Sequence, residues 1–250
     1  MKIAGWRNLC VYGLAIGLCQ PLAGCSDDAA QPANITEVAA GSEPSHAAIS
    51  ADAPLVIAFG DSLYAGYQLG PKEGLAPQLQ EVLGKNGVEV QVHNAGVSGD
   101  TTAAGLQRLR FVLDHADRKP ALLMLGLGGN DMLRGIGPAQ TRANLETILD
   151  ELARRDIPVL MTGMMAPPNL GAAYRAEFDA IFPELAKRKG VTLYPFILDQ
   201  VVTDPQLMLA DHIHPNAQGV TVMAEALAPL VTQALPQTAD SASQRRAGPP

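Results

Sequence analysis

The chain has 250 residues, with 25 acidic against 18 basic side chains and a formal net charge of −7. Its longest basic cluster is Lys187-Arg188-Lys189, which argues against nucleic acid or anionic lipid headgroups as partners. All three cysteines, Cys10, Cys19 and Cys25, lie in the first 25 residues. A disulfide framework, a thiolate metal site and a cysteine nucleophile are therefore excluded from the rest of the chain.

Lys2 and Arg7 precede an apolar run over 9–18, and Leu22-Ala23-Gly24-Cys25 follows. The run is too short for a membrane span and reads as an export signal over 1–24. Leu-Ala-Gly-Cys resembles a bacterial lipobox, which implies cleavage before Cys25 and lipidation of its thiol. Ser26, rather than an aspartate, follows the cysteine, and by resemblance to the lipoprotein sorting pattern this implies the outer membrane, with the rest of the chain facing the periplasm. Residues 26–53 are rich in Ala, Ser, Pro and acid without apolar periodicity, so together with the lipidated Cys25 they read as a disordered tether. A flexible coil of that length reaches about 30 Å. Residues 54–236 are expected to form one domain, and 237–250 a frayed, disordered tail.

Within the domain, strand and helix patterns alternate. Residues 55–59 form a continuous apolar run, as in a strand buried on both faces. Residues 73–85 carry Leu75, Leu79, Val82 and Leu83 at helical spacing, and 88–93 alternate as a strand with one wetter face. A helix over 101–113 leads to a buried strand over 121–127. Pro138 opens a helix whose inner face is Leu145, Ile148, Leu149 and Leu152. A strand over 157–162, a helix over 172–189, a short strand over 191–194 and a helix over 215–230 complete the pattern. Such alternation predicts a parallel five-stranded sheet with helices on both faces; as a flavodoxin-like three-layer α/β/α sandwich, its strands are expected in the order 2-1-3-4-5.

On that frame, Ser62 follows strand one, Asn94-Ala95-Gly96-Val97-Ser98-Gly99-Asp100 follows strand two, and Gly128-Gly129-Asn130-Asp131 follows strand three. All three segments fall at the carboxyl edge of the sheet, where such folds bind ligands. Serine is scarce here: between Pro54 and Pro236 only Ser62 and Ser98 occur. A lone serine past a buried strand, with Asp211-His212-Ile213-His214-Pro215 downstream, is the raw material of a nucleophilic hydrolase. Asp-His-x-His also offers three potential metal ligands, but no complementary cluster accompanies it in the sequence. Asp61 and Asp131 read as structural carboxylates, and Ser98 as a turn residue.

Gly60-Asp61-Ser62-Leu63, the glycine-bearing loop from Asn94 to Asp100, Gly129-Asn130-Asp131 and Asp211-x-x-His214-Pro215 resemble the four blocks of the SGNH (GDSL) hydrolases, in order, from about Pro54 to Val231. The arylesterase and thioesterase/lysophospholipase branch is the most similar. The resemblance implies Ser62 as nucleophile, His214 as base and Asp211 as its orienting carboxylate. It also implies an oxyanion hole made by the N–H groups of Ser62 and Gly96 with the Asn130 carboxamide. The implied substrate is a small-molecule ester or thioester, extending to lysophospholipids, with an O-acetylated envelope polysaccharide as the alternative. A binding lipoprotein that keeps the fold without catalysis is a further alternative. No metal or cofactor is called for, and the only membrane partner is the one reached through the lipid anchor. Leu63, Tyr64, Met132 and Pro168 lie near these blocks and are expected to line the substrate pocket, although Tyr64 stands where close relatives are expected to carry a small residue.

Overall fold

A computed structural model describes residues 49–236. The expected export signal, Cys25, most of the expected tether and the expected tail lie outside the described residues. Five strands, β1 (Leu55–Gly60), β2 (Gln91–Gly96), β3 (Leu122–Gly126), β4 (Val159–Thr162) and β5 (Thr192–Tyr194), form one parallel sheet in the order β2-β1-β3-β4-β5. This is the order expected from the sequence.

Successive side chains of a strand point to opposite faces, and here both faces are covered. Ile57, Phe59, Leu123, Leu125 and Met161 face one way, into a core shared with α3 (Thr102–Asp114), α5 (Pro138–Arg154), α6 (Ala172–Asp179) and α7 (Ile181–Lys189). Val56, Ala58, Leu122, Met124 and Leu160 face the other, against α2 (Leu75–Lys85) and α8 (Ala217–Ala234). Burying one such side chain contributes about 1.5–3 kcal/mol, so the two cores on β1 and β3 alone hold the central strands in place.

Three boundaries differ from the sequence reading. The helix expected over 172–189 breaks at Ala180, because Pro183 has no N–H for the Asp179 carbonyl and its ring crowds that carbonyl. The last helix begins at Ala217 rather than Pro215: Asn216 caps it, its Oδ1 accepting the Gly219 N–H at 3.0 Å. Strand β2 lies three residues later than the alternation suggested. Val88 still belongs to the exit of α2, its N–H donating to the Leu83 carbonyl at 2.9 Å, and pairing with β1 starts at Leu55 opposite Gln91. Asn94, Ala95 and Gly96 are therefore strand residues opposite Ala58, Phe59 and Gly60. Two short helices, α1 (Ser62–Ala65) and α4 (Gly129–Leu133), were not anticipated. Each carries a residue of the site.

Candidate active site

The chain turns sharply where β1 ends. Asp61 caps α1, its Oδ1 accepting the Leu63 N–H at 3.1 Å, and Ser62 is the first helical residue. After four residues Gly66 takes a left-handed φ of 76° and stops the helix. The turn is bolted down by Tyr64. Its ring occupies the room left by the missing side chains of Gly60 and Gly126, at the ends of two neighbouring strands. Its hydroxyl pairs with Thr162 Oγ1 at 2.9 Å, at the end of a third. Tyr64 is 1% exposed, and burial raises its hydroxyl pKa well above the usual range. It supports the nucleophile turn from below, and its side chain is buried rather than open to solvent as the sequence reading expected of a pocket residue.

Leu63 and Met132 are likewise buried in the two cores, leaving Pro168, exposed in a 3₁₀ turn over Pro168–Leu170, as the one expected pocket residue that solvent reaches. An apolar side chain near a catalytic block in sequence has two possible destinations, and in a turn of four residues most point into the core. The exposed apolar groups at this edge are Tyr67, Val97, Leu133, Met165, Leu170 and Ile213, six of the nine large apolar side chains exposed among the described residues. Val97, Leu133 and Ile213 were missed. Val97 and Ile213 lie within polar site segments and Leu133 two residues after one, which is the signal that could have found them.

His214 arrives from the other side of the sheet, on the loop between the 3₁₀ turn Pro205–Leu207 and α8. Leu209 donates to the His214 carbonyl at 2.8 Å, Asn216 donates to the Leu207 carbonyl at 2.9 Å, and Met208 bridges to Pro215. These bonds hold His214 Nε2 at 2.8 Å from Ser62 Oγ and Nδ1 at 2.7 Å from Asp211 Oδ2. Asp211 Oδ1 accepts the N–H groups of Ile213 and His214 at 2.9 and 3.0 Å. Burial raises the Asp211 pKa, but these two N–H donors and the imidazole outweigh it and hold the carboxyl at about 2. An ionised carboxylate only accepts hydrogen bonds, so Nδ1 carries the imidazole proton and Nε2 is left to accept from the Ser62 hydroxyl. His212 is exposed, at a left-handed φ of 56°. Among the described residues, no three His, Cys, Asp or Glu side chains gather as a metal site requires.

Asn130 sits in the first turn of α4, which Gly128 opens at φ 117°. Its Nδ2 donates to the Asp100 carbonyl at 3.0 Å, and a carboxamide has a second N–H to offer. Its neighbour Asp131 is wholly buried and structural, as expected: it accepts the Thr102 N–H at 2.8 Å and the hydroxyls of Thr102 and Thr141.

Gly96 is corrected. Its N–H donates to Asn94 Oδ1 at 2.8 Å and so is not a free oxyanion donor, while a Cβ on it would strike the backbone of Tyr64 and Ala65. Gly96 lets β2 pass close to the nucleophile turn. Four residues further on, Asp100 donates to the Val97 carbonyl at 3.1 Å across a tight turn, with Gly99 at φ 85° in its third position. That geometry calls for glycine. The Gly99 carbonyl accepts from Arg134 at 2.7 Å, and its N–H has no acceptor among the described residues. Arg108 ties the turn to β1 by donating to Asp100 Oδ2 and to the Gly60 carbonyl, with its guanidinium 4.0 Å from the centre of the Phe59 ring. Gly99 is thus the glycine of this segment with an N–H to give. The sequence reading missed it; the Ser98-Gly99-Asp100 tripeptide, a turn signal, is what could have found it.

Asp61 is 4% exposed, and burial raises its pKa from 3.8 to about 6. Asp100 and Asp131 add to the rise, while the Leu63 N–H and His214 oppose it. The native state therefore holds this proton more tightly than the unfolded chain. The stability it contributes is complete below about pH 3.8 and lost as pH rises through about 6, up to about 3 kcal/mol in all. Asp61→Asn should match the parent protein in denaturant unfolding at pH 4 and exceed it at pH 8. An equal difference at both values would refute this account.

A serine, an imidazole and an ionised carboxylate in hydrogen-bonded series, at the carboxyl edge of a doubly wound sheet, define the class of serine hydrolases. Residues 58–222 match the profile of the GDSL-like Lipase/Acylhydrolase family, and the chain belongs to that family. It is similar to the arylesterase of Vibrio mimicus, at 37% identity over 173 residues, 69% of this chain and 86% of that one. Thioesterase 1/protease 1/lysophospholipase L1 of Escherichia coli K12 is 38% identical over 188 residues, 74% of this chain and 87% of that one. Among solved structures, the SGNH-hydrolase family esterase AlinE4 superposes with a TM-score of 0.64 at 50% identity, covering 75% of this chain and 100% of its own. The protein is a serine hydrolase acting on carboxylic esters or thioesters.

Proposed function

We propose that the protein cleaves aryl and acyl esters and thioesters through an acyl-enzyme on Ser62, and that it does so as a lipoprotein of the bacterial cell envelope. The observation that carries the first part is the 2.8 Å contact between Ser62 Oγ and His214 Nε2, with Asp211 on the far nitrogen. Ser62 Oγ attacks the substrate carbonyl carbon as its proton passes to Nε2. Asp211 holds the tautomer and stabilises the imidazolium that forms. The Ser62 N–H, the Gly99 N–H and the free N–H of the Asn130 carboxamide receive the developing oxyanion; one such donor is typically worth about 10²–10³ in rate. Nε2–H then protonates the departing alcohol or thiol, and water releases the acid by the reverse path. The exposed apolar groups around the site, Tyr67, Met165, Leu170 and Ile213 among them, suit an aryl or acyl group.

A graded series of aryl esters and acyl thioesters, run beside an acetylated polysaccharide, tests this reading. Turnover that rises with acyl length supports it. Turnover confined to the polysaccharide overturns the substrate assignment and leaves the serine chemistry standing.

The envelope location is supported by Leu22-Ala23-Gly24-Cys25, by Ser26, and by the polar stretch that separates them from the domain. The lipid is the sole membrane partner in this reading, and the outer membrane, with the domain facing the periplasm, is the proposed site. Cys25→Ser should move the protein from the membrane fraction to the soluble or unprocessed one and abolish labelling with fatty acid. A parent protein already soluble and free of acyl label would show the lipobox reading to be mistaken.

A further inference from the structure

Tyr67 takes part in none of the proton transfers above and only borders the substrate site there, yet its ring lies on the imidazole of His214, with centroids 4.4 Å apart and planes inclined by 36°. The backbone places it there. Both Gly66 and Tyr67 donate their N–H to the carbonyl of Ser62, the latter at 3.2 Å. Gly66 and Gln68, on either side, both have positive φ, 76° and 58°. Leu69 closes the loop by donating to the Gly66 carbonyl at 3.1 Å. A single short turn therefore carries the nucleophile at one end and, five residues on, an aromatic ring fastened to the nucleophile's own carbonyl.

The two nitrogens of His214 are held by Ser62 and Asp211, and its face is held by Tyr67. Tyr67 is 38% exposed, and its hydroxyl makes no hydrogen bond among the described residues. The aromatic face, rather than the hydroxyl, is the part of Tyr67 that is engaged.

Resting on the serine mechanism above, we propose that Tyr67 is a positioning residue for the base. Its ring keeps the imidazole aligned with Ser62 Oγ and favours the imidazolium that forms when the proton is transferred. An aromatic face attracts a cation that lies on it, so the contact strengthens as His214 becomes charged. That is the condition for accelerating a step rather than merely stabilising the resting protein. The groups facing the imidazole are Ser62 on one nitrogen, Asp211 on the other, Tyr67 on its face and the buried Asp61 through its charge. Of these, only Tyr67 can be altered without removing a carboxylate or the nucleophile.

The test uses the full chain and three variants, with kcat, KM and the acid limb of the pH profile measured on one aryl ester. Tyr67→Leu, which keeps bulk and removes the π face, is expected to lower kcat about tenfold with KM within about threefold. It should also move the acid limb to lower pH by a few tenths of a unit, because the imidazolium has lost its aromatic partner. Tyr67→Phe and Tyr67→Trp should each recover most of the rate and the original limb. If Tyr67→Leu behaves as Tyr67→Phe does, or if Tyr67→Leu changes KM alone, the inference is overturned. If Tyr67→Leu melts at a lower temperature, the Trp variant decides: as slow as Leu, it overturns the inference; as fast as the parent, it sustains it. Stoichiometric labelling of Ser62 by a fluorophosphonate separates the two claims. Labelling with no effect of Tyr67→Leu rejects the positioning role alone, whereas no labelling of the parent rejects the serine mechanism.

Discussion

Ser62→Ala and His214→Ala should each lower kcat on an aryl ester by roughly 10⁴–10⁶-fold, and the double variant should be little worse than either single one. The reason is the geometry of the pair. Ser62 Oγ and His214 Nε2 are 2.8 Å apart and share one proton, so removing either abolishes the same event. Independent contributions would multiply; a double variant slower than the singles by a further thousandfold would mean that Ser62 and His214 act separately and would reject the triad. Neither substitution should affect folding much, since both side chains are only partly buried at the carboxyl edge of the sheet. His212→Ala is the matched control. His212 is exposed and in a different backbone conformation from His214, and its loss should leave most of the activity.

Asp211→Asn should lower kcat by about 10⁴-fold while leaving the fold intact. Asp211 holds two kinds of contact that the substitution separates. Its Oδ1 accepts the N–H groups of Ile213 and His214, a role the asparagine oxygen can keep, so the loop retains its shape. Its Oδ2 accepts from His214 Nδ1 at 2.7 Å, and there the asparagine would present an N–H instead. The imidazole would then carry its proton on Nε2, facing Ser62, and could not serve as the base. The pH dependence has the same origin. Only a neutral His214 can take the Ser62 proton, so activity should be low in acid and rise to a plateau in mild base. Asp211, held at about 2, stays ionised across that whole range and adds no second limb. Restoration of near-parent rates in Asp211→Asn, or flat activity down to about pH 4, would remove the histidine base from the mechanism.

The unexpected placements share one cause. Tyr64, Leu63 and Met132 all neighbour residues of the site in sequence, and all three turn inward. Tyr64 fills the room that Gly60 and Gly126 leave at the ends of β1 and β3. No local pattern could reveal this, since the two glycines are 66 residues apart in the chain and become neighbours only through strand pairing. Gly96 and Gly99 present the same problem. Both lie in one seven-residue motif, and which one has an N–H to give depends on where β2 stops. The register of Leu55 with Gln91 puts Gly96 inside the strand, beneath Asn94, and leaves Gly99 to the turn.

By itself, the sequence determined the layer architecture, the strand order and the chemistry of the site. Buried strands leave long apolar runs, amphipathic helices leave a 3.6-residue period, and their alternation admits few topologies. Ser62, Asp211 and His214 were legible through the resemblance of their segments to the SGNH blocks, which also separated His214 from the neighbouring His212. Only the tertiary structure decided which neighbours of those residues face the substrate, which glycine offers its N–H, and that the ring of Tyr67 lies on the imidazole of His214. Each of these depends on the direction of one bond or one ring. That direction is set by packing between segments far apart in the chain, and it leaves no periodic trace in the sequence.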